Sequence, residues 1–201
     1  MAEQAESPKG QGRGLPDAAR FLKSWVERPL QIGAVQPSGR ALARTMASHV
    51  DPGLPGPVIE IGPGTGPVTQ ALIERGVALA RLVLVEFNRE FCALLRKRYP
   101  GVRVVEGDAY AIARTLAPLG LGPAVAVLSS LPLLTRPLAQ RLDLLRQCFN
   151  LLRPEGPFIQ FTYGAAAPIP GKGADYVASP SRRIWLNMPP ARVWVYRRRK
   201  A

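Results

Sequence analysis

The feature that most constrains this chain is a glycine-rich turn between an apolar segment and a helix-forming one. Residues 57–61 are mostly apolar, and the glycines of the turn follow at alternate positions: Gly62, Gly64 and Gly66. Pro67 comes next and suits the first position of a helix, because its fixed φ is already helical. Since glycine permits positive φ and a close approach of the backbone to a ligand, the segment predicts a strand, a ligand-binding turn and a helix.

Short apolar runs continue to alternate with amphipathic stretches after this turn. They predict strands at residues 57–61, 81–85, 102–105, 124–128 and 157–163, and helices at residues 67–75, 88–99, 109–116 and 137–152. Two further strands, at residues 176–186 and 191–198, are expected to form a hairpin through residues 187–190. This order indicates an α/β fold: a Rossmann-like, doubly wound, mostly parallel seven-stranded sheet with helices on both faces.

Residues 1–56 are expected to form an N-terminal arm with accessory helices, in the same domain as the core at residues 57–201. Helices are predicted at residues 16–29 and from Ser38 to residue 50, with Ser38 as the N-cap. The first helix would place Phe21 and Trp25 on one face, between basic residues. That face suits either a membrane interface or packing on the core of the same domain.

Acidic residues accompany three successive predicted strands. Glu86 ends the second strand, where a carboxylate can accept hydrogen bonds from both hydroxyls of a ribose. Asp108 follows the third strand, where an adenine amino group would lie. Glu60 adds a carboxylate near the ammonium end of a cofactor that would contain this ribose and adenine. The spacing G-x-G-x-G differs from the G-x-G-x-x-G of dinucleotide-binding proteins.

Taken together, these motifs resemble the class I S-adenosylmethionine-dependent methyltransferases over residues 57–163, including a Leu-Arg-Pro-Glu-Gly turn at residues 152–156. The resemblance implies S-adenosylmethionine as cofactor and S-adenosylhomocysteine as product. The residues that it assigns to the cofactor are Glu60, Gly62, Gly64, Thr65, Gly66, Glu86, Phe87, Gly107, Asp108, Ala109, Ser129 and Leu131.

A narrower resemblance concerns residues 21–25, 32–40 and 58–66, which are similar to the soluble bacterial phospholipid N-methyltransferases. It implies methylation of phosphatidylethanolamine toward phosphatidylcholine. Ser38, Arg40 and Arg182 are candidates for binding the lipid, the arginines through its phosphate. Tyr163 is a candidate aromatic wall for the methylated ammonium, and Tyr176 is the candidate group that accepts the proton of the amine, unless it is a packing tyrosine.

The same motifs also resemble the ribosomal RNA adenine dimethyltransferases. Those enzymes carry Asn-Leu-Pro followed by Tyr or Phe after the fourth strand, whereas residues 130–133 here are Ser-Leu-Pro-Leu. The amide that would hold the adenine amine and the aromatic ring that would stack on the base are both missing, which counts against a nucleobase substrate. A nucleic-acid methyltransferase stays the main alternative, beside a protein or small-molecule methyltransferase and a cofactor-binding protein without turnover.

The formal net charge of +13 indicates a polyanionic partner, which is nucleic acid, an anionic membrane surface or a phosphorylated substrate. The alternative for the basic run at residues 197–200 is a solvated tail. Residues 164–201 contribute eight basic side chains and one acidic one, and we interpret them as a docking surface for an anionic membrane around the methyl-transfer site. One histidine and two cysteines exclude a His/Cys zinc site and a disulfide framework, so no metal is expected.

No membrane span and no secretory signal are predicted. The uncharged residues 115–135 contain prolines and glycines that break a helix, and the first 14 residues lack an apolar core. We therefore expect a cytoplasmic protein that associates reversibly with the inner face of the membrane.

Overall fold

The computed structural model describes residues 37–171 and 174–199, with only the backbone at residues 37 and 38. The predicted helix at residues 16–29, with Phe21 and Trp25, lies outside the described residues. The helices are α1 (Pro37–Ala47), α2 (Pro67–Glu74), α3 (Arg89–Arg98), α4 (Ile112–Leu116) and α5 (Leu138–Leu151). The strands are β1 (Val58–Ile61), β2 (Leu82–Glu86), β3 (Arg103–Glu106), β4 (Ala126–Ser129), β5 (Phe158–Thr162), β6 (Tyr176–Pro180) and β7 (Arg192–Arg198).

Within the described residues, the seven strands form one sheet in the order β3-β2-β1-β4-β5-β7-β6. β1 to β5 are parallel, and β7 is antiparallel to both of its neighbours. The expected Rossmann-like, mostly parallel seven-stranded sheet is confirmed. We call the edge at which β1 to β5 end the carboxyl edge, and the opposite one the amino edge.

Helices cover both faces of the sheet because adjacent residues of each buried strand point to opposite sides. Val58 packs in one cluster with side chains of α1 to α3, such as Met46 and Leu72. Ile59 packs in the other cluster with side chains of α4 and α5. Every strand residue of β1 and β2 is buried, which explains why their sequences are apolar rather than alternating, apart from Glu60 in β1 and Glu86 at the end of β2.

Two local predictions need correction. α1 begins at Pro37, so Ser38 lies inside the first turn rather than before it, as expected where a proline supplies a helical φ. β6 ends at Pro180, not at residue 186, and residues 181–190 form a loop closed by a bridge between Ile184 and Ala191. Asn88 is the N-cap of α3, because its Oδ1 accepts hydrogen bonds from the backbone N–H groups of Glu90 and Phe91.

The strand order separates the basic C-terminal run from the glycine turn. β7 runs opposite to β5, with Arg192 beside Thr162 at the carboxyl edge and Tyr196 beside Phe158 near the amino edge. Residues 197–199 therefore extend beyond the amino edge. These arginines therefore lie away from the glycine turn, contrary to the expected docking surface around the methyl-transfer site.

No helix within residues 37–171 and 174–199 combines the length and the apolar character that crossing a membrane requires.

Candidate active site

The glycine turn lies at the carboxyl edge, directly after β1. Gly62, Gly64 and Gly66 have φ values of 68°, 56° and 84°. A Cβ at Gly66 would lie 2.7 Å from Cε2 of Tyr99, whereas a Cβ at Gly64 would meet no atom within 4 Å. Gly66 is thus required by the packing of α3, and Gly64 faces open space in which a ligand can approach the backbone.

Glu86 connects the ends of β1 and β2. Its Oε2 accepts a hydrogen bond of 3.0 Å from the backbone N–H of Gly64, and its Oε1 accepts one of 2.8 Å from that of Asn88. A carboxylate can accept about four hydrogen bonds, so two more donors, such as ribose hydroxyls, can still be bound. Phe87 follows with a largely exposed ring, and the half-buried Thr65 lies in the same turn.

Glu60 is a fully buried carboxylate in the middle of the sheet. Thr69, on α2, donates a hydrogen bond of 2.6 Å to its Oε2. Its Oε1 has no hydrogen-bond partner within the described part of the chain. Burial raises the pKa of Glu60 to about 7 because water no longer stabilises its charge, although the Thr69 hydroxyl opposes this rise. A ligand ammonium group would supply both the missing donor and the missing positive charge.

The end of β3 adds a third part of the site. Gly107 donates a hydrogen bond of 2.9 Å to the carbonyl oxygen of Glu86, and a Cβ at this position would lie only 2.5 Å from Cγ2 of Thr115. Asp108 caps the following turn by accepting 2.8 Å from the backbone N–H of Tyr110, while its side chain stays exposed. Ala109 is buried behind it. The second oxygen of Asp108 is thus on the surface, where a ligand amino group can reach it.

The segment after β4 forms the remaining side of the site. Ser130 donates a hydrogen bond of 3.0 Å to the carbonyl oxygen of Ile61, which holds this segment against the glycine turn. The buried Ser129 hydroxyl accepts from the N–H of Leu131 at 3.4 Å. A Cβ at Gly62 would lie 2.8 Å from Cδ2 of Leu131, so the two loops pack closely.

Gln160 is a functional candidate that sequence reasoning missed. It is buried on β5, and its Nε2 donates to the carbonyl oxygens of Leu131 at 3.0 Å and Phe161 at 2.8 Å. No described residue bonds to its Oε1. The available signal was a single amide within the otherwise apolar strand predicted at residues 157–163.

Three of the expected lipid-binding residues lie at or near the carboxyl edge. Tyr163 directly follows β5, and burial raises its pKa while the neighbouring Asn187 side chain opposes that rise. Arg182 is exposed just after β6. Arg40 is exposed in α1 and lines a cleft of about 280 Å³ beside Arg44 and the start of α2. The side chain of Ser38 lies outside what the structure describes.

Tyr176 does not belong to this group, because the structure places it away from the edge at which a proton acceptor for the amine is expected. It pairs with Arg198, beyond the start of β5, and therefore lies at the amino edge. Its hydroxyl donates a hydrogen bond of 2.6 Å to the carbonyl oxygen of Pro170, and its ring packs between Phe149 and Tyr196. Tyr176 is therefore a core residue. Because β6 is antiparallel to β7, β6 begins at the amino edge, and Tyr176 is its first residue.

Among the described residues, no group of three or more His, Cys, Asp and Glu side chains is arranged to hold a metal ion. Cys92 and Cys148 are free and buried.

Comparison with known proteins identifies the chemistry. A family model described as a methyltransferase domain matches residues 58–156. The ornithine lipid N-methyltransferase of Singulisphaera acidiphila is 31% identical over 151 residues, which cover 74% of this chain and 79% of that protein. A ribosomal RNA small subunit methyltransferase A from Synechococcus is 39% identical over 92 residues, which cover 44% of this chain but only 29% of that protein.

The fold is also shared with a solved structure from Burkholderia thailandensis, a 1,6-didemethyltoxoflavin-N1-methyltransferase with bound S-adenosylhomocysteine. Its TM-score is 0.64 at 17% identity, with 96% of this chain and 95% of that chain covered.

The cofactor fits the site described above. The unpartnered oxygen of Glu60 can accept from its amino group, Glu86 can accept from its ribose, and Gly64 leaves the space that it needs. The individual contacts of the twelve assigned residues stay predictions. Fold, site and relatives agree that this chain belongs to the class I S-adenosylmethionine-dependent methyltransferases.

Proposed function

We propose that this methyltransferase acts on the amine of a membrane lipid, and specifically on phosphatidylethanolamine and its methylated intermediates on the way to phosphatidylcholine. The observation that carries the proposal is the alignment with a lipid N-methyltransferase over 79% of that protein's length. The alignment with the ribosomal RNA enzyme covers only 29% of that protein's length.

The segment after β4 supports a lipid amine over a nucleobase. Ser130 and Leu133 stand where the ribosomal RNA enzymes that the sequence resembles carry an amide and an aromatic ring. Leu133 is buried in the core and carries no ring, and Ser130 carries a hydroxyl instead of an amide, so this segment offers no stacking surface for a base. An aliphatic amine needs no such surface, because hydrogen-bond acceptors are sufficient to hold its N–H groups.

Bound S-adenosylmethionine would supply an electrophilic methyl group, and the chain must present a neutral amine to it in line. An amine of lysine-like pKa, near 10, costs about 4 kcal/mol to hold neutral at pH 7. The hydroxyl of Tyr163 is the acceptor that we assign to an amine N–H group. The carbonyl oxygen of Leu131 already accepts hydrogen bonds from Gln160 Nε2 and from the N–H of Leu133. Arg40 and Arg182 remain the candidates for the lipid phosphate.

The location that we propose is the cytoplasm with reversible association at the inner face of the membrane. Anionic lipids and the phospholipid substrate are then the partners of the protein.

The experiment uses the purified full chain with S-adenosylmethionine labelled in its methyl group. It compares vesicles containing phosphatidylethanolamine, vesicles containing ornithine lipid, and ribosomal RNA. The proposal expects label in the lipid fraction, with phosphatidylethanolamine as the better acceptor. Gly64→Val is the inactive control, because its side chain would occupy the open space beside the turn. Label in ornithine lipid alone would correct the substrate, and label in RNA alone would contradict lipid methylation.

A further inference from the structure

The loop at residues 181–190, between β6 and β7, exposes three large apolar side chains close together in sequence. Trp185, Leu186 and Met188 are 74%, 80% and 82% exposed. Asn187, between them, is buried, and its Nδ2 donates a hydrogen bond of 2.7 Å to the carbonyl oxygen of Pro189. The loop thus has an anchored inner residue and an apolar outer surface. We call residues 182–188 the docking loop.

The docking loop lies at the carboxyl edge, on the same side of the molecule as the glycine turn. β7 leaves this loop at Arg192, which pairs with Thr162 at the end of β5. Asn187 lies beside Tyr163, one of the expected substrate residues. Leu134, a further exposed apolar residue, lies beside Gly164, since a Cβ there would be 3.4 Å from its Cδ1. The exposed Leu134 and the docking loop therefore both lie at the segment that follows β5.

The charge around the docking loop has one sign. Residues 176–199 contain no acidic residue, and Arg182 and Arg183 belong to the loop itself. The guanidinium carbon of Arg183 lies 5.5 Å from the centre of the Trp185 ring. A tryptophan with adjacent arginines suits a lipid headgroup layer, where the ring is partly apolar and partly hydrated and the guanidinium meets phosphates. A protein partner with an acidic groove would also attract the arginines, but a lipid surface is where the proposed substrate resides.

We propose that the docking loop inserts Trp185, Leu186 and Met188 into the headgroup layer of an anionic membrane, which brings the carboxyl edge of the sheet against the lipid. This inference rests on the proposed lipid substrate, and it assigns membrane contact to a part of the chain other than the helix predicted at residues 16–29 and the terminal basic run. Insertion at this edge lets a lipid headgroup reach the site without leaving the bilayer.

The first test measures binding of the full chain to vesicles of phosphatidylcholine and phosphatidylglycerol, which contain no amine substrate. The triple variant Trp185→Ser, Leu186→Ser, Met188→Ser is expected to lower the partition coefficient at least tenfold. The matched control is Leu54→Ser with Leu79→Ser, two exposed leucines at the amino edge, and it should stay within twofold of the wild type. Equal vesicle binding by the triple variant and the wild type overturns the proposal.

A second measurement does not depend on the folding of that variant. Brominated lipids quench the fluorescence of a tryptophan that enters the bilayer, and the quenching should be much smaller in Trp185→Phe, which keeps Trp25 and Trp194. Equal quenching in Trp185→Phe and the wild type would place the insertion elsewhere and contradict the assignment.

The charge is tested with two single arginine variants. Arg182→Gln should weaken binding to anionic vesicles about fivefold, since one basic residue at such a surface contributes about 1 kcal/mol. Arg199→Gln, at the opposite edge, should change it less than twofold. Equal losses would indicate attraction by net charge alone and not docking by this loop.

Turnover separates this inference from the proposed function. With a short-chain phosphatidylethanolamine below its micelle concentration, the triple variant should keep the wild-type rate. If the wild type binds vesicles through Trp185 but methylates no lipid, the proposed substrate fails and the docking assignment stands.

Discussion

Thr69 donates a hydrogen bond of 2.6 Å to one carboxylate oxygen of Glu60, and the other oxygen meets no hydrogen-bond donor within the described residues. This bond connects the buried strand β1 to α2 across the glycine turn. A carboxylate that is only half satisfied in a buried position is costly in the absence of a ligand. Its pKa of about 7 shows that, near neutral pH, the ligand-free protein holds a proton there for part of the time.

Cofactor binding should therefore release a proton. A positively charged amino group beside Glu60 favours the ionised carboxylate and lowers its pKa. Calorimetry at pH 6.5, in buffers of different ionisation enthalpy, should show proton release by the wild type and none by Glu60→Gln. The affinity of the wild type for S-adenosylmethionine should rise from pH 5.5 to pH 7. Proton release that persists in Glu60→Gln would assign the effect to another group.

The same carboxyl should make the ligand-free protein less stable as the pH rises. The folded-state pKa, about 7, is above the ordinary value of 4.5, so between these values the folded protein holds a proton that the unfolded chain has lost. The free energy of unfolding then falls with increasing pH across this window, by up to about 3 kcal/mol. Urea unfolding of Glu60→Gln should lack this fall, and an equal fall in both proteins would contradict the assignment.

Three glycine variants should distinguish the loss of space for the cofactor from the cost in stability of a side chain at positive φ. Gly64→Ala and Gly76→Ala both place an alanine at positive φ without a close contact, so each should cost about 1 kcal/mol of stability. Only Gly64→Ala should also weaken S-adenosylmethionine binding, by at least tenfold. Gly66→Ala should destabilise the protein more than either, because its Cβ would collide with Tyr99. Thermal unfolding and calorimetry measure the two effects separately.

The cofactor side of the site could be predicted because its residues are local to strand ends. Gly64, Glu86 and Asp108 each follow an apolar run, and the carboxyl ends of parallel strands always meet at one edge. No information about the rest of the chain is needed for this step. Once the strands are recognised as parallel, these three residues are expected to lie together at the carboxyl edge.

The substrate side could not be predicted in the same way. The position of Tyr176 depends on β7 lying between β5 and β6, and nothing in the sequence near Tyr176 specifies that order. The sequence pattern also predicts that the strand continues to residue 186. That prediction places Trp185 in a strand of the hairpin, whereas it lies in the docking loop. The position of Tyr176 and the end of β6 both depend on how distant segments pair. Periodicity in the sequence reports only which face of a helix or strand is buried.

Tyr176→Phe should keep full kcat on lipid. It loses one hydrogen bond, to the carbonyl oxygen of Pro170, and should lower stability by about 1 kcal/mol. Tyr163→Phe should instead lower kcat at least tenfold, if its hydroxyl receives the substrate amine as proposed. Rates with saturating lipid, together with urea unfolding of both variants, distinguish a role in the reaction from a role in stability. A tenfold loss of kcat in Tyr176→Phe would restore the original assignment.

Gln160 should act as a positioning residue for the segment after β4. Its Nε2 hydrogen bond to the carbonyl oxygen of Leu131 fixes a loop that packs against Gly62, while its own side chain is buried. Gln160→Met keeps the length and volume of the side chain and removes both donated bonds. We expect a loss of at least tenfold in kcat and a much smaller change in the Kd for S-adenosylmethionine, which β1 and β2 hold.

The control for Gln160→Met is Gln147→Met, which also removes a hydrogen bond from a glutamine Nε2 to a backbone carbonyl, that of Tyr110. Both variants should lose about 1–3 kcal/mol of stability, because a carbonyl oxygen is left without its donor. Only Gln160→Met should reduce kcat beyond what the fraction of folded protein explains. If both variants lose kcat in proportion to their stability, Gln160 supports the fold alone. If Gln160→Met raises the Kd for the cofactor as much as it lowers kcat, Leu131 serves cofactor binding rather than the alignment of the amine.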